Sequence, residues 1–485
     1  MSEIRNLEPK AVWEIFQQLC DIPRPSKKEQ KAVDFAKKFG EDLGLETIVD
    51  EIQNVIIKKP ATPGMEDRKI VVLQGHLDMV PQKNSNIDHD FETDPITAYV
   101  DGEWVTAKDT TLGADNGMGV AAALAVLKAK DIVHGPLEVL LTVDEETGMT
   151  GAENLKAGVL DADILINTDS EDEGELYIGC AGGIDTNAKF HYKEENTPED
   201  TVAYRIDIKG LKGGHSGLDI ALGRGNANKL LNRFLNVVNK SLDIRLADIQ
   251  SGSLRNAIPR EGFAVVTVPT AQVGEFKSFI DELVPQIKSE LSVTEPDLVI
   301  EYNETQIPTK VIDEKTHNNL IKGIYGVPNG VIRMSDAMEG LIETSTNLAI
   351  VKKQDGFIEL ATLQRSSVES AKDDLANMIR SVLELAGAEV VHEGAYPGWN
   401  PNINSPILKT MQDVYNNKWG KVPEIKAIHA GLECGIIMEN YPNLDTISFG
   451  PTIRFPHSPD EKVNIKTVGM FYDFLIETLK NIPKK

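Results

Sequence analysis

The chain has 485 residues, with 75 Asp and Glu against 50 Lys and Arg and a formal charge of −25. That length allows about two to four domains with sizeable cores. The acidic balance argues against nucleic acid or an anionic membrane surface as a partner.

Three cysteines, Cys20, Cys180 and Cys434, lie far apart with no Cys-x-x-Cys pattern. This favours a reducing compartment and buried thiols. The N-terminus has neither a basic head nor an apolar signal core, and no apolar run approaches a membrane span. A soluble cytoplasmic protein is expected.

In chain order, Val12, Ile15, Phe16 and Leu19 recur at helical spacing after Pro9. Ser26-Lys-Lys-Glu29 predicts a capping box for a second helix ending near Gly44. Strands are predicted near 53–59, 69–75, 137–143 and 163–168, with an Ala-, Val- and Leu-rich helix near 116–130. Apolar strands alternating with helices indicate a buried, mostly parallel α/β sheet.

Beyond Cys180 the texture changes. Two strand–helix–strand units are predicted, one over 202–209, 225–239 and 263–268 and one over 357–363, 367–386 and 388–392. They suggest an inserted α/β domain over 184–394, carried by a discontinuous catalytic domain of residues 1–183 and 395–485. The C-terminal stretch adds helices near 405–417 and 464–480 and strands near 425–428 and 445–449.

Six residues form a candidate site: His76, Asp115, Glu145, Glu146, Asp169 and His457. They are the residue types that a pair of bridged zinc ions needs, and most follow an apolar run. Strand exits are where open α/β sheets place ligand sites. His76 and Asp78 are two apart on an extended segment and point the same way, so Asp78 can hold the free ring nitrogen of His76. Asp115 lies in Thr110-Thr-Leu-Gly-Ala-Asp-Asn-Gly-Met-Gly119. Glycines before a helix also suit a phosphate cradle, but an acid in the loop would repel phosphate, and a carboxylate bridging two cations fits better. Adjacent acids at the end of an apolar strand, Glu145 and Glu146, are costly unless cations neutralise them. One can bind metal while the other serves as general base. These residues predict a metallohydrolase.

Longer strings carry a resemblance. They are Gln-Gly-His76-Leu-Asp-Met-Val-Pro-Gln-Lys, Thr-Leu-Gly-Ala-Asp115-Asn-Gly, Ile-Asn-Thr-Asp169-Ser-Glu, Gly-Leu-Lys-Gly-Gly-His215-Ser-Gly, Leu-Arg-Asn256-Ala-Ile-Pro-Arg, Gly-Ala-Tyr-Pro-Gly-Trp399 and His-Ala-Gly-Leu-Glu-Cys-Gly435. Over nearly its whole length the chain resembles the co-catalytic zinc exopeptidase family of carnosinases, peptidase T, glutamate carboxypeptidases and aminoacylases, and most of all its dipeptidase branch. The resemblance implies a zinc-exopeptidase-like catalytic domain whose inserted domain is a lid and dimerisation domain. It implies two Zn2+ per subunit, with Mn2+ or Co2+ able to substitute. Asp115 would bridge the two, His76 and Asp169 would complete one, and Glu146 and His457 the other.

By the same resemblance Glu145 would be the general base toward a metal-bound water, Asp78 the support of His76, and Asp115–Asn116 a cis peptide. His215 and Asn256 would stabilise the oxyanion, in many relatives within the partner's site of a homodimer. Arg365 would grip the substrate carboxylate, and Gly435 would line the site. A guanidinium suits a planar carboxylate. The implied activity is hydrolysis of dipeptides with broad specificity, Xaa-His and β-Ala-His included. The alternatives are a tripeptide aminopeptidase or an N-acyl amino acid deacylase, although Asp169 stands where deacylases often carry glutamate. A non-enzymatic binding protein is disfavoured by the intact Glu145 and five ligands.

Overall fold

Val71–His76, Leu137–Thr142 and Ile164–Asn167 are apolar, buried at every position, and pair in parallel with Val71–His76 in the middle. Burial on both faces is why these strands are runs rather than alternations. Asp445–Ser448, far along the chain, joins Ile164–Asn167 in parallel. Antiparallel strands flank this centre: Val55–Lys59 and Glu46–Val49 on one side, Glu175–Cys180 on the other. With Glu424–Ile428 they make an eight-stranded mixed sheet with a parallel centre.

The computed structural model describes residues 3–485. By its contacts the chain forms two units. One holds the chain up to Gly179 with Pro401–Ala427 and Leu432–Lys485, and the other Cys180–Asn400 with Ile428–Gly431. In the first unit, helix Lys10–Cys20 buries Val12, Ile15, Phe16 and Leu19 as their spacing predicts. Helix Ala114–Lys128 is buried from Asn116 through Leu127, so its sequence has no polar face.

The predicted capping box does not form. Helix Gln30–Asp42 has Glu29 at its N-cap with no side-chain cap bond. The Ser26 hydroxyl instead donates to Asp78 Oδ2 at 2.8 Å, and Glu29 Oε1 accepts from the backbone of Lys27 and Asp144. The hydrogen bond from Ser26 to a buried carboxylate is charge-assisted and stronger than the neutral cap bond it would make.

A small sheet that the sequence did not announce orders Ile453–Arg454, Lys462–Asn464, Trp104–Ala107 and Ala98–Asp101, all antiparallel. It ties the C-terminal segment on either side of His457 to residues near the Asp115 loop.

The expected inserted segment falls within the second unit. Its predicted strands and helices appear as Thr201–Lys209, Ala227–Asn239 and Gly262–Pro269, then Phe357–Ser366, Glu369–Leu385 and Glu389–Tyr396. They do not form two separate sheets. All these strands belong to one nine-stranded antiparallel sheet, joined through the long strand Ile342–Lys353. Helices Ala227–Asn239, Val273–Glu290, Glu314–Gly326 and Glu369–Leu385 contribute Leu231, Phe234, Phe276, Ile280, Leu320 and Ile379 to its core. Among the described residues no helix is long and apolar enough to cross a membrane.

Candidate metal centre and catalytic site

Six predicted residues meet in the first unit. His76 ends its strand, Asp115 opens its helix after Gly113 at φ +71°, and Glu145 and Glu146 begin a short helical turn after Asp144. Asp169 lies two residues past Ile164–Asn167. His457, at φ +58°, sits in the loop between Ile453–Arg454 and Lys462–Asn464.

Asp115 is central. Its Oδ1 lies 3.1 Å from His76 Nε2 and its Oδ2 3.2 Å from His457 Nε2. His76 Nε2 is also 3.4 Å from Asp169 Oδ1, and His457 Nε2 is 2.9 Å from Glu146 Oε2. The peptide between Asp115 and Asn116 is cis. Asp78 does more than its spacing predicts. Its Oδ1 lies 3.3 Å from His76 Nδ1, while the same nitrogen is 3.2 Å from the Asp78 carbonyl. Its carboxylate also accepts from the backbone N–H groups of Glu145 at 3.0 Å and Glu146 at 3.2 Å. One buried acid thus orients His76 and the acidic pair.

Burial pushes Asp169 up to about 7 and lifts Glu145 well above the usual carboxylate range, with Asp169, Glu433 and Glu146 adding to the rise at Glu145. Burial would also raise Asp115, but hydrogen bonds from His457 and His76 hold it well below the carboxylate range. Hydrogen bonds to Asp115 and Glu146 push His457 up to about 11. For His76 burial works downward, and Asp169, Asp115 and Asp78 outweigh it.

The residues fit a pair of divalent cations. Potential donor atoms of His76, Asp115 and Asp169 lie within 4.8 Å of one another, and so do those of Asp115, Glu146 and His457. Asp115 belongs to both groups. Glu146 Oε1 and Asp169 Oδ1 are buried without a hydrogen-bond partner, as oxygens reserved for a cation would be. Nitrogen and oxygen donors without thiolate suit zinc and also accept manganese or cobalt.

The remaining predicted residues divide between the units. Gly435 is buried inside helix Glu433–Asn440 of the first unit. Glu433, two residues before it, lies inside a quoted string but was given no role of its own. That carboxylate is 1% exposed and accepts from Gln74 Nε2 at 2.6 Å and Thr142 Oγ1 at 2.8 Å, and burial pushes it up to about 7.

His215, Asn256 and Arg365 are in the second unit. His215 Nδ1 accepts from the N–H groups of Gly217 and Leu218, which leaves the proton on Nε2. The exposed Asn256 accepts from Ser216 N through its carbonyl. Arg365 is 5% exposed, yet its side-chain hydrogen bonds go to the neutral Tyr396 hydroxyl at 2.7 Å and Ser216 Oγ at 3.4 Å. It has no ion pair among the described residues. Tyr396 and Ser216 lie inside quoted strings but carried no signal of their own.

The family model described as "Peptidase family M20/M25/M40" matches residues 72–481. The "Cytosol non-specific dipeptidase" of Escherichia coli (strain K12) is 48% identical over 485 residues, covering 100% of both chains. The crystal structure of an aminoacylhistidine dipeptidase from Vibrio alginolyticus superposes with a TM-score of 0.94 at 49% identity, covering 100% of this chain and 99% of that one. The aminopeptidase PepT of Bacillus cereus shares the fold alone, at TM-score 0.62 and 15% identity over 98% and 99% of the two chains. The chain belongs to peptidase family M20/M25/M40.

Proposed function

We propose that the protein is a cytoplasmic, homodimeric di-zinc dipeptidase of broad specificity that includes Xaa-His and β-Ala-His. The observation that carries the reading is Asp115, with one oxygen toward each of His76 and His457, beside a Glu145 that His457 does not engage. The full-length likeness to a protein named as a cytosol dipeptidase supports both the substrate class and the compartment.

His76 and Asp169 would hold one cation, Glu146 and His457 the other, and Asp115 would serve both. When bound, the pair supplies Lewis acidity and eases ionisation of water at neutral pH. Glu145, whose side chain has no hydrogen-bond partner among the described residues, takes the proton from the attacking water and delivers it to the leaving amine. Asp78 keeps His76 and the Glu145–Glu146 backbone in register. The Nε2–H of His215 and the Asn256 side chain steady the oxyanion. Arg365, buried with neutral partners, receives the substrate's terminal carboxylate.

The test is turnover of a panel of dipeptides including β-Ala-His, their C-terminal amides, tripeptides and N-acetyl amino acids, with metal content measured on the same protein. Free dipeptides should be fastest, with about two zinc per chain. Losing a charge-assisted hydrogen bond worth about 1.5–3 kcal/mol should slow the amides by about 10- to 150-fold. Faster turnover of tripeptides or N-acetyl amino acids would replace this reading with one of its alternatives.

A further inference from the structure

The glycine-bearing loop before helix Ala114–Lys128 does cradle an acid, and the acid is the protein's own: burial pushes Glu461 up to about 7, while the N–H groups of the loop favour its charged form. Glu461 is 1% exposed and follows His457 by a single turn, in which its N–H donates to Ser458 O at 3.0 Å. Its Oε2 accepts from Leu112 N at 2.7 Å and Gly113 N at 2.9 Å, and its Oε1 from Ala114 N at 2.8 Å and Asp115 N at 3.2 Å. Four successive N–H groups converge on one carboxylate because Gly113 takes φ +71° and turns the peptide over. The helix N-terminus that follows favours the same negative charge.

The other side of the loop is held by a cation. Arg24, 2% exposed, donates through Nη2 to Gly113 O at 2.5 Å and through Nη1 to Leu77 O and Asp78 O, both at 2.9 Å. The Gly113 residue is therefore gripped by an acid at its N–H and by a guanidinium at its carbonyl. Glu461 links the loop to the His457 segment, and Arg24 links it to the segment of His76 and Asp78. Neither side chain is in the donor groups described above.

We infer that Glu461 and Arg24 are positioning residues that clamp Leu112–Asp115 from opposite sides and so hold Asp115 against His76 and His457 together. A glutamine at 461 has the same shape but turns an amide N–H2 toward amide donors. An aspartate keeps the charge but is too short to reach all four. The carboxylate and its length are both required. The inference rests on the two-cation reading for its metal readout alone.

The experiment compares wild type with Glu461→Gln and Glu461→Asp. Three quantities are measured: zinc affinity by competition with a chelator, the visible spectrum of the Co2+-loaded protein, and amide hydrogen exchange across Leu112–Asp115 in metal-free protein. Both variants should bind zinc at least tenfold more weakly, change the cobalt spectrum, and exchange the loop amides at least tenfold faster, with kcat falling and KM moving less than twofold. Wild-type affinity, spectrum and exchange in a folded variant would overturn the clamp. If neither variant folds, wild-type exchange decides: protected amides at Leu112–Asp115 support the clamp, and rapid exchange overturns it. A wild type that binds no metal pair removes the functional reading and leaves the exchange result to judge the clamp.

Discussion

Glu145 and Glu146 are adjacent in sequence and differ in surroundings. Glu146 Oε2 lies 2.9 Å from His457 and its other oxygen is buried without a partner, whereas Glu145 makes no side-chain hydrogen bond among the described residues. Exchange of each for glutamine separates the proposed roles. Glu145→Gln should retain both cations and lose about 10²- to 10⁴-fold in kcat, the usual contribution of a general base. Glu146→Gln should lose one cation first, seen as a metal content nearer one than two per chain. Near-normal turnover by Glu145→Gln would reverse the assignment. At this scale the sequence was most informative where a residue's chemistry is rare in its context, as with two acids closing an apolar strand. It gave no role to Glu433, Glu461 or Arg24. Each is an ordinary charged residue whose meaning lies in a partner 53 to 359 positions away, Leu77 for Arg24 and Gln74 for Glu433.

Strands and helices with a clean apolar period were legible, and the parallel centre of the first sheet with them. Ile342–Lys353 was not. It is buried along most of its length, yet Thr344, Ser345, Thr346 and Asn347 fill its first half, so no apolar alternation marks it. Without that strand, the two predicted units of the inserted segment could not be joined into one sheet. The capping box failed for a related reason, because Ser26 found a better partner across the fold. Helix Glu314–Gly326 also carries a titration prediction. Its buried His317 accepts from Leu246 N through Nδ1 at 3.1 Å and meets Asn239 Oδ1 through Nε2 at 2.7 Å, so the ring is neutral with its proton on Nε2. Burial, helped by Arg245, holds its pKa down at about 4. A histidine with a folded pKa below its unfolded value of about 6.5 stabilises the fold fully above that value, and the contribution fades as pH falls toward 4. Between pH 7.5 and 5 wild type should lose about 2 kcal/mol that a His317→Gln variant does not lose. Denaturant midpoints at the two pH values measure the difference, and equal slopes for both proteins would dismiss it.

At the scale of the whole molecule, co-expression of two inactive variants tests whether each site is built by one chain. If His215 serves the neighbouring subunit of a two-fold dimer, Glu145→Ala and His215→Ala homodimers should both be nearly inactive. Their co-expressed heterodimer would then hold one doubly damaged site and one intact site. Random pairing makes half the dimers mixed, so about a quarter of wild-type activity should return. If His215 acts within its own chain, every site keeps a lesion and co-expression restores nothing.

The split of the first unit around the second governs the order in which the candidate site can be assembled during synthesis. His76, Asp115, Glu145, Glu146 and Asp169 leave the ribosome early, while His457 and Glu461 come near the end of the chain. At about 5–20 residues per second the wait is roughly 15–60 s. Throughout it, Ile164–Asn167 lacks the strand Asp445–Ser448 and stands as an open apolar edge, the kind of surface on which nascent chains aggregate. Completion of the candidate site and relief from that hazard arrive together. A ribosome that stalls after the inserted segment therefore releases a sticky fragment rather than a stray peptidase.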